Sequence, residues 1–261
     1  MKVKHILLIF LSLLNIYSTC KPRICTPPAR TWPHETPGTL EKGKNSVRMM
    51  GGAHLHLEPA VFSNTLNYRA GSWTFAWHRG FTNNLEAGVQ ASLLAINDED
   101  WDVDKKPYAG NIRIATKLSP EPMRRLLGLR SGLGLGFSEA GEFFCIDGGL
   151  VLGFDNPYII PFFNPGMYIS FPFNTETVDF GLSDDFPDDS MPTAYADDPE
   201  ITWGFESGLG FKLYPLGFSK KSELRKSFAL YGISSVTQCV VLYHEDVEWF
   251  FSFGGGIEFS F

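Results

Sequence analysis

Three scarcities bound this chain of 261 residues. After residue 20 it has no apolar run long enough to cross a bilayer as a helix, which excludes a helical membrane protein beyond that point. It has only four cysteines, Cys20, Cys25, Cys145 and Cys239, and their spacing fits neither a metal site nor a small disulfide framework. It is short of basic residues, with 22 Lys and Arg against 29 Asp and Glu, and the net charge of -7 argues against a nucleic-acid partner, which would require a basic face. No internal repeat and no second domain is visible.

What the chain does have is glycine, aromatic residues and alternation. There are 26 Gly, and aromatics make up 15% of the sequence. The last fifteen residues are the clearest case. Val247, Trp249, Phe251, Phe253, Gly255, Ile257, Phe259 and Phe261 fall on one face of an extended strand, and Glu248, Phe250, Ser252, Gly254, Gly256, Glu258 and Ser260 on the other. One face suits lipid and the other a polar lumen. Because hydrocarbon satisfies no free backbone group, such a strand is stable in a membrane only within a closed barrel. The strand resembles the final strand of bacterial outer-membrane β-barrels. That resemblance implies that the aromatic end, Phe259 and Phe261, is the signal read by the barrel-assembly machinery.

The amino terminus begins with a basic stretch, Met1-Lys-Val-Lys-His5, followed by the apolar Ile6 to Leu14, the pattern of a secretory signal peptide over residues 1–20. Tyr17-Ser-Thr-Cys20 resembles a lipoprotein processing site, departing from the usual pattern at Tyr17 and Thr19. Acylation of Cys20 and ordinary cleavage nearby are both open. Residues 21–46, rich in Pro, Thr, Lys and Arg and without periodicity, read as an extended periplasmic linker.

The rest, residues 47–261, parses into alternating segments. Gly80-Phe-Thr-Asn-Asn-Leu-Glu-Ala-Gly-Val89 resembles a periplasmic hairpin of outer-membrane barrels, with Thr-Asn-Asn as the turn. Ile112 and Ile114 alternate with Arg113 and Lys117, Leu129 to Phe137 with Arg130 and three glycines, and Ile201 to Leu213 with Glu206, Lys212 and further glycines. Ile159 to Phe173 keeps the alternation but contains Pro161, Pro165 and Pro172, which would interrupt a ladder and call for bulges or irregular ends. The count is ten strands in an all-β, up-and-down antiparallel transmembrane barrel. Eight is the alternative if Val47 to Tyr68 is irregular. The architecture is similar to that of OmpA-like and OmpW-like barrels, a likeness of class that brings no catalytic residue with it.

Loop length and charge give one orientation. The connection Asn174 to Pro199 holds three Asp pairs and no base, and Asn97 to Pro107 begins with Asp98, Glu99 and Asp100. Both fall at the extracellular end, whereas Arg124-Arg125 and Lys220-Lys221 fall at the other. Paired aspartates could hold divalent cations or bind a surface ligand.

Inside the barrel the same alternation places a network of both signs: Glu86, Arg113, Lys117, Arg130, Asp147, Glu206, Lys212, Glu248 and Glu258. Such mixtures form buried ion pairs rather than a wide channel. The inward glycines, among them Gly132, Gly134, Gly136, Gly204, Gly208 and Gly210, leave space that water or a small solute could fill. His54 and His56, with Glu58, share a strand face and are weak metal-ligand candidates that need a third group from a neighbouring strand. His244, Glu245 and Asp246 form a rim turn of the kind outer-membrane hydrolases use, but no hydrolase motif accompanies them. The sequence thus points to a non-enzymatic outer-membrane barrel without cofactor, either structural or a narrow passive pore. Surface binding through the acidic loops and rim hydrolysis are the alternatives. Cys145 and Cys239 fall on non-adjacent strands and are expected not to bridge.

Overall fold

Alternation with period two puts one row of each segment toward lipid and the other inward, and backbone pairing then closes the sheet. The computed structural model describes residues 30–57, 69–97, 108–138, 141–175, 178–181, 194–197, 201–219, 226–241 and 247–261. The strands are β1 (Asn45–Leu57), β2 (Arg69–Gly80), β3 (Leu85–Asn97), β4 (Tyr108–Leu118), β5 (Leu127–Ser138), β6 (Gly141–Gly153), β7 (Ile159–Phe173), β8 (Val178–Gly181), β9 (Ala194–Asp197), β10 (Thr202–Leu213), β11 (Phe228–Val241) and β12 (Val247–Ser260). Ten of them form a closed antiparallel barrel in which β7 pairs with β10 and β12 returns to β1. β8 and β9 pair only with each other, as a hairpin within the β7–β10 connection. The described residues contain no helix.

The ten-strand expectation holds and the eight-strand alternative does not. β1 is regular and pairs with β12 from Ser46 to Leu57 and with β2 from Asn45 to Leu55. Closure is completed at the ends of the sheet, where the Asn45 and Phe261 backbones exchange hydrogen bonds of 2.8 and 2.9 Å. A twelve-residue strand tilted by ~40° rises ~30 Å, about the thickness of the hydrocarbon core.

The exterior suits that solvent. Trp73 (72% exposed), Leu93, Ile112, Ile114, Leu133, Leu135, Met167 and Leu209 form an outward apolar band. Phe81, Phe154, Tyr158, Phe218, Phe259 and Phe261 ring the end where the short turns lie. The turn at Thr82 follows its residue chemistry: the Thr82 hydroxyl accepts from the backbone N–H of Asn84 and of Leu85, at 3.1 and 3.0 Å.

Two expectations need correction. The prolines of β7 produce no bulge. Its register against β10 is continuous from Ile159 to Ser170. Against β6 the pairing skips only Leu150 and Val151, opposite Pro165 and Asn164, and resumes in the same register. A proline lacks the N–H for one ladder bond, but here the missing donors leave the register unchanged.

The second correction concerns the segment read as a periplasmic linker. From Arg30 to Thr39 the chain lies inside the barrel. Arg30, Trp32, His34, Glu35, Thr36 and Thr39 are buried. At Gly43 (φ 84°), in the left-handed region where glycine carries no steric penalty, the strap reverses into β1. The Gly43 N–H donates to the Gly80 carbonyl at 2.8 Å.

Candidate functional site

A ten-stranded barrel encloses more volume than its inward side chains fill, so its interior is either wet or occupied. Here it is occupied, by the strap and by long side chains set against inward glycines. A Cβ at Gly208 would meet Pro33 Cγ at 2.5 Å, and one at Gly52 or Gly254 would meet the Trp32 ring at 2.7 Å. Gly128 and Gly153 face Pro37, while Gly132 faces Arg113 and Gly166 faces Arg130. The glycine spaces expected to hold water or solute therefore receive protein. Trp32, 1% exposed, anchors the strap in an apolar cluster with Met50, Ile160, Phe162 and Tyr231.

The charged residues gather at two levels. Near the short-turn end, Glu258 takes Arg48 at 2.6 Å, Lys212 at 2.7 Å and the Tyr231 hydroxyl. Beside it, Glu86 is flanked by His78 at 3.0 Å, Lys117 at 3.3 Å and Arg48 at 3.5 Å, and it accepts the backbone N–H of Leu40 at 2.9 Å. Further in, Asp147 accepts a two-point contact from Arg113 at 2.6 and 2.5 Å and a third bond from Arg130 at 3.3 Å. Glu206 receives Arg130 and Arg30, both at 2.7 Å. Glu35 of the strap stands among three guanidiniums, Arg130 at 3.8 Å, Arg30 at 3.9 Å and Arg113 at 4.0 Å.

At the inner level the wall contributes two cations and two anions, and the strap adds one of each, Arg30 and Glu35. Charge is balanced locally, as burial requires, since an unpaired ion in a low-dielectric interior costs several kcal/mol. Backbone contacts complete the seating. Lys117 donates to the Thr36 carbonyl at 3.1 Å, Ser119 donates to the Pro37 carbonyl, and the Asn164 amide donates to the Pro33 and Glu35 carbonyls at 2.7 and 2.9 Å. At the turn end the Thr39 hydroxyl donates to the Asn83 carbonyl at 2.5 Å, and Arg124 donates to the Thr39 carbonyl at 3.3 Å.

Comparison with solved structures returns bacterial outer-membrane barrels. The chain itself is a closed ten-stranded antiparallel barrel. It resembles Ail, the attachment invasion locus protein of Yersinia pestis, with 12% identity, 84% of this chain and 99% of that chain covered, and a TM-score of 0.35. It also resembles the N-terminal β-barrel domain of Pseudomonas aeruginosa OprF, with 14% identity, 84% and 100% covered, and a TM-score of 0.35. The outer membrane protease OmpT from Escherichia coli matches at 8% identity, 87% and 100% covered, with a TM-score of 0.36. No family model and no curated protein matches the sequence.

Of the nine residues read as a lumen network, eight are buried and paired as described: Glu86, Arg113, Lys117, Arg130, Asp147, Glu206, Lys212 and Glu258. Glu248 lies on β12, but its side chain is outside the described residues. Sequence reasoning missed Arg48, His78 and Tyr231 on the walls, and Arg30, His34 and Glu35 on the strap. His54 faces the lumen with both ring nitrogens engaged, Nδ1 with Ser252 Oγ at 2.7 Å and Nε2 with Ser72 Oγ at 2.6 Å, beneath the Trp32 ring. The His56 side chain, Glu58 and the rim turn His244 to Asp246 lie outside the described residues, as does most of the acidic loop. Phe259 and Phe261 are exposed on the outer surface. Cys145 and Cys239 share one buried apolar cluster with Phe143 and Tyr168, and the Tyr168 hydroxyl lies 2.7 Å from Cys239 Sγ.

Proposed function

We propose that this chain is a non-enzymatic, multi-pass protein of the bacterial outer membrane whose lumen is sealed by its own amino-terminal strap, a structural barrel rather than a passive pore. One observation carries this reading. The strap is held at every level of the inner half of the barrel by ion pairs or backbone hydrogen bonds, with Arg30 and Glu35 completing the charge balance of the wall. A permeating solute would have to displace Trp32 and open buried salt bridges. The end that carries the longest connection, β7–β10, lies outside and the end with the β2–β3, β4–β5 and β6–β7 turns on the periplasmic side, because long polar connections at one end are characteristic of such barrels.

Planar-bilayer recording tests the seal. The refolded mature chain is expected to insert without conductance steps, and Gly208→Leu, which pushes Pro33 out of its seat, to give salt-dependent steps. Stable steps from the wild-type chain would overturn the reading.

A second reading, surface binding through the acidic connection, is favoured by the β8–β9 hairpin, which gives that connection a sheet of its own outside the barrel. Deleting residues 178–197 would abolish binding to the cell's partner surface and leave bilayer silence unchanged. Acylation of Cys20 and recognition of Phe259 and Phe261 by the assembly machinery remain part of the proposal. The first is read by intact mass of the mature protein.

A further inference from the structure

The charge balance of the inner level does not extend to the short-turn end. There Arg48, Lys117 and Lys212 meet Glu86 and Glu258, so that among the described residues three buried cations face two buried carboxylates. The inner level has no anion to lend, because its own carboxylates are matched by Arg30, Arg113 and Arg130. Glu248 stands at the opposite end of β12 from Glu258. Protonation of His34 or His78 would only enlarge the surplus. One positive charge is left over where an uncompensated ion is costly.

Unpartnered donors lie at the same level. Arg48, Ala76 and Gln90 form one inward row, for Ala76 pairs with Arg48 across β1 and β2 and with Gln90 across β2 and β3. All three are buried, at 2%, 1% and 3% exposure. Arg48 directs Nε to Glu258 at 2.6 Å and Nη2 to Glu86 at 3.5 Å, and among the described residues its Nη1 has no hydrogen-bond partner. Gln90 is oriented by Arg113, whose Nη1 donates to Oε1 at 3.0 Å; a guanidinium can only donate, so the amide cannot be turned the other way. Its Nε2, with two N–H groups, therefore lies on the side away from β4, and among the described residues it too has no partner. Between these long side chains stands the Ala76 methyl alone in its row, with β1 and β3 ~10 Å apart. Ser46, the next inward residue of β1, adds a hydroxyl without a partner among the described residues. His78, the next inward residue of β2, leans over Gly88 and meets Glu86 through Nδ1 at 3.0 Å, and its Nε2 is likewise unpartnered among the described residues.

We propose that the barrel encloses one small inorganic anion, a halide such as chloride, held over the Ala76 methyl by Arg48 Nη1 and Gln90 Nε2. The ion satisfies two buried donors and cancels the surplus charge of that level. Water would satisfy the donors and leave the charge. Because every contact is buried, the ion is taken up as the barrel closes, and its effect is on folding rather than on transport.

The test reads folding against chloride. The refolded mature chain in lipid vesicles is unfolded with urea at rising chloride, with ionic strength held by gluconate. The folding constant should rise about tenfold for each tenfold increase in chloride above the dissociation constant. In Gln90→Glu the retained oxygen still accepts from Arg113 and the new carboxylate supplies the missing anion, so the dependence on chloride should vanish. A wild-type midpoint indifferent to chloride, or a dependence undiminished in Gln90→Glu, would overturn the proposal. Should that variant fail to fold, crystals of the unaltered chain grown in bromide decide the matter. An anomalous peak within hydrogen-bonding reach of both nitrogens is expected, and its absence would leave the two donors to water and overturn the site.

Discussion

Gly208 offers a perturbation aimed at the strap. The three atoms nearest a Cβ built there are Pro33 Cγ at 2.5 Å, Pro33 O at 2.7 Å and Pro33 Cβ at 2.9 Å, so the tightest overlap falls on one strap residue. Ordinary contacts begin at 3.4 Å, so alanine would press on each atom by a large fraction of an ångström. Pro33 cannot yield freely, because its carbonyl is held by Asn164 at 2.7 Å and its neighbour Trp32 is packed against two glycines. Overpacking of this kind costs about 1–3 kcal/mol. Gly208→Ala should lower the unfolding free energy in lipid vesicles by that amount, followed by tryptophan fluorescence against denaturant. Pro33→Gly removes Cγ and Cβ but leaves the carbonyl oxygen in place, so it should restore part of the loss, giving a coupling energy of about 1 kcal/mol in the double-mutant cycle. Effects that add within about 0.5 kcal/mol would mean that Pro33 does not lie against Gly208, and the strap placement would be refuted.

Three other outcomes follow from the same interior. Asp147→Asn takes from the buried Arg113 guanidinium its two-point carboxylate partner, while Arg130 keeps Glu206, and should cost about 3–5 kcal/mol, whereas replacing Arg113 and Asp147 together by Met and Leu should fall much nearer the wild type, both read by denaturant unfolding. Trp32→Ala empties the space opposite Gly52 and Gly254 and should cost about 3–5 kcal/mol in the same assay; an unchanged midpoint would contradict its burial. Cys145 and Cys239 should resist maleimide in the folded barrel and react once denaturant is added; labelling of the native protein would contradict their place in the apolar cluster.

The barrel wall was legible because each wall residue has one of two environments, and a strict period of two records which. That is why Arg113, Lys117 and Glu206 could be placed inward, and why Phe253 and Phe259 could be placed outward, from parity alone. Arg48 and His78 obey the same rule and were within reach of it. The strap was not. Arg30 to Thr39 has no period because it is neither helix nor strand, and its residues answer irregular features of the wall: prolines against glycines, one indole in an apolar pocket, one cation and one anion for a network already neutral. Its trace in the sequence was indirect. Inward glycines at 52, 128, 208 and 254 leave a volume that something must fill, and the nearest chain without a place of its own carries a single tryptophan flanked by Arg30 and Glu35. The prolines of β7 misled in the opposite way, because a missing N–H is a local loss that neighbouring pairs on both sides can hold in register.

The central claim, that residues 30–39 fill the lumen, is tested most directly by cross-linking the strap to the wall. Pro33→Cys and Gly208→Cys together would bring two β-carbons to about the separation a disulfide needs, since Pro33 Cβ lies 2.9 Å from a Cβ at Gly208 and small shifts reach the usual range. Oxidation in native outer membranes should convert the doubly substituted barrel, and neither single variant, to a reducible species of altered gel mobility. A folded, membrane-inserted double variant whose two cysteines remain unlinked under oxidant would contradict the account.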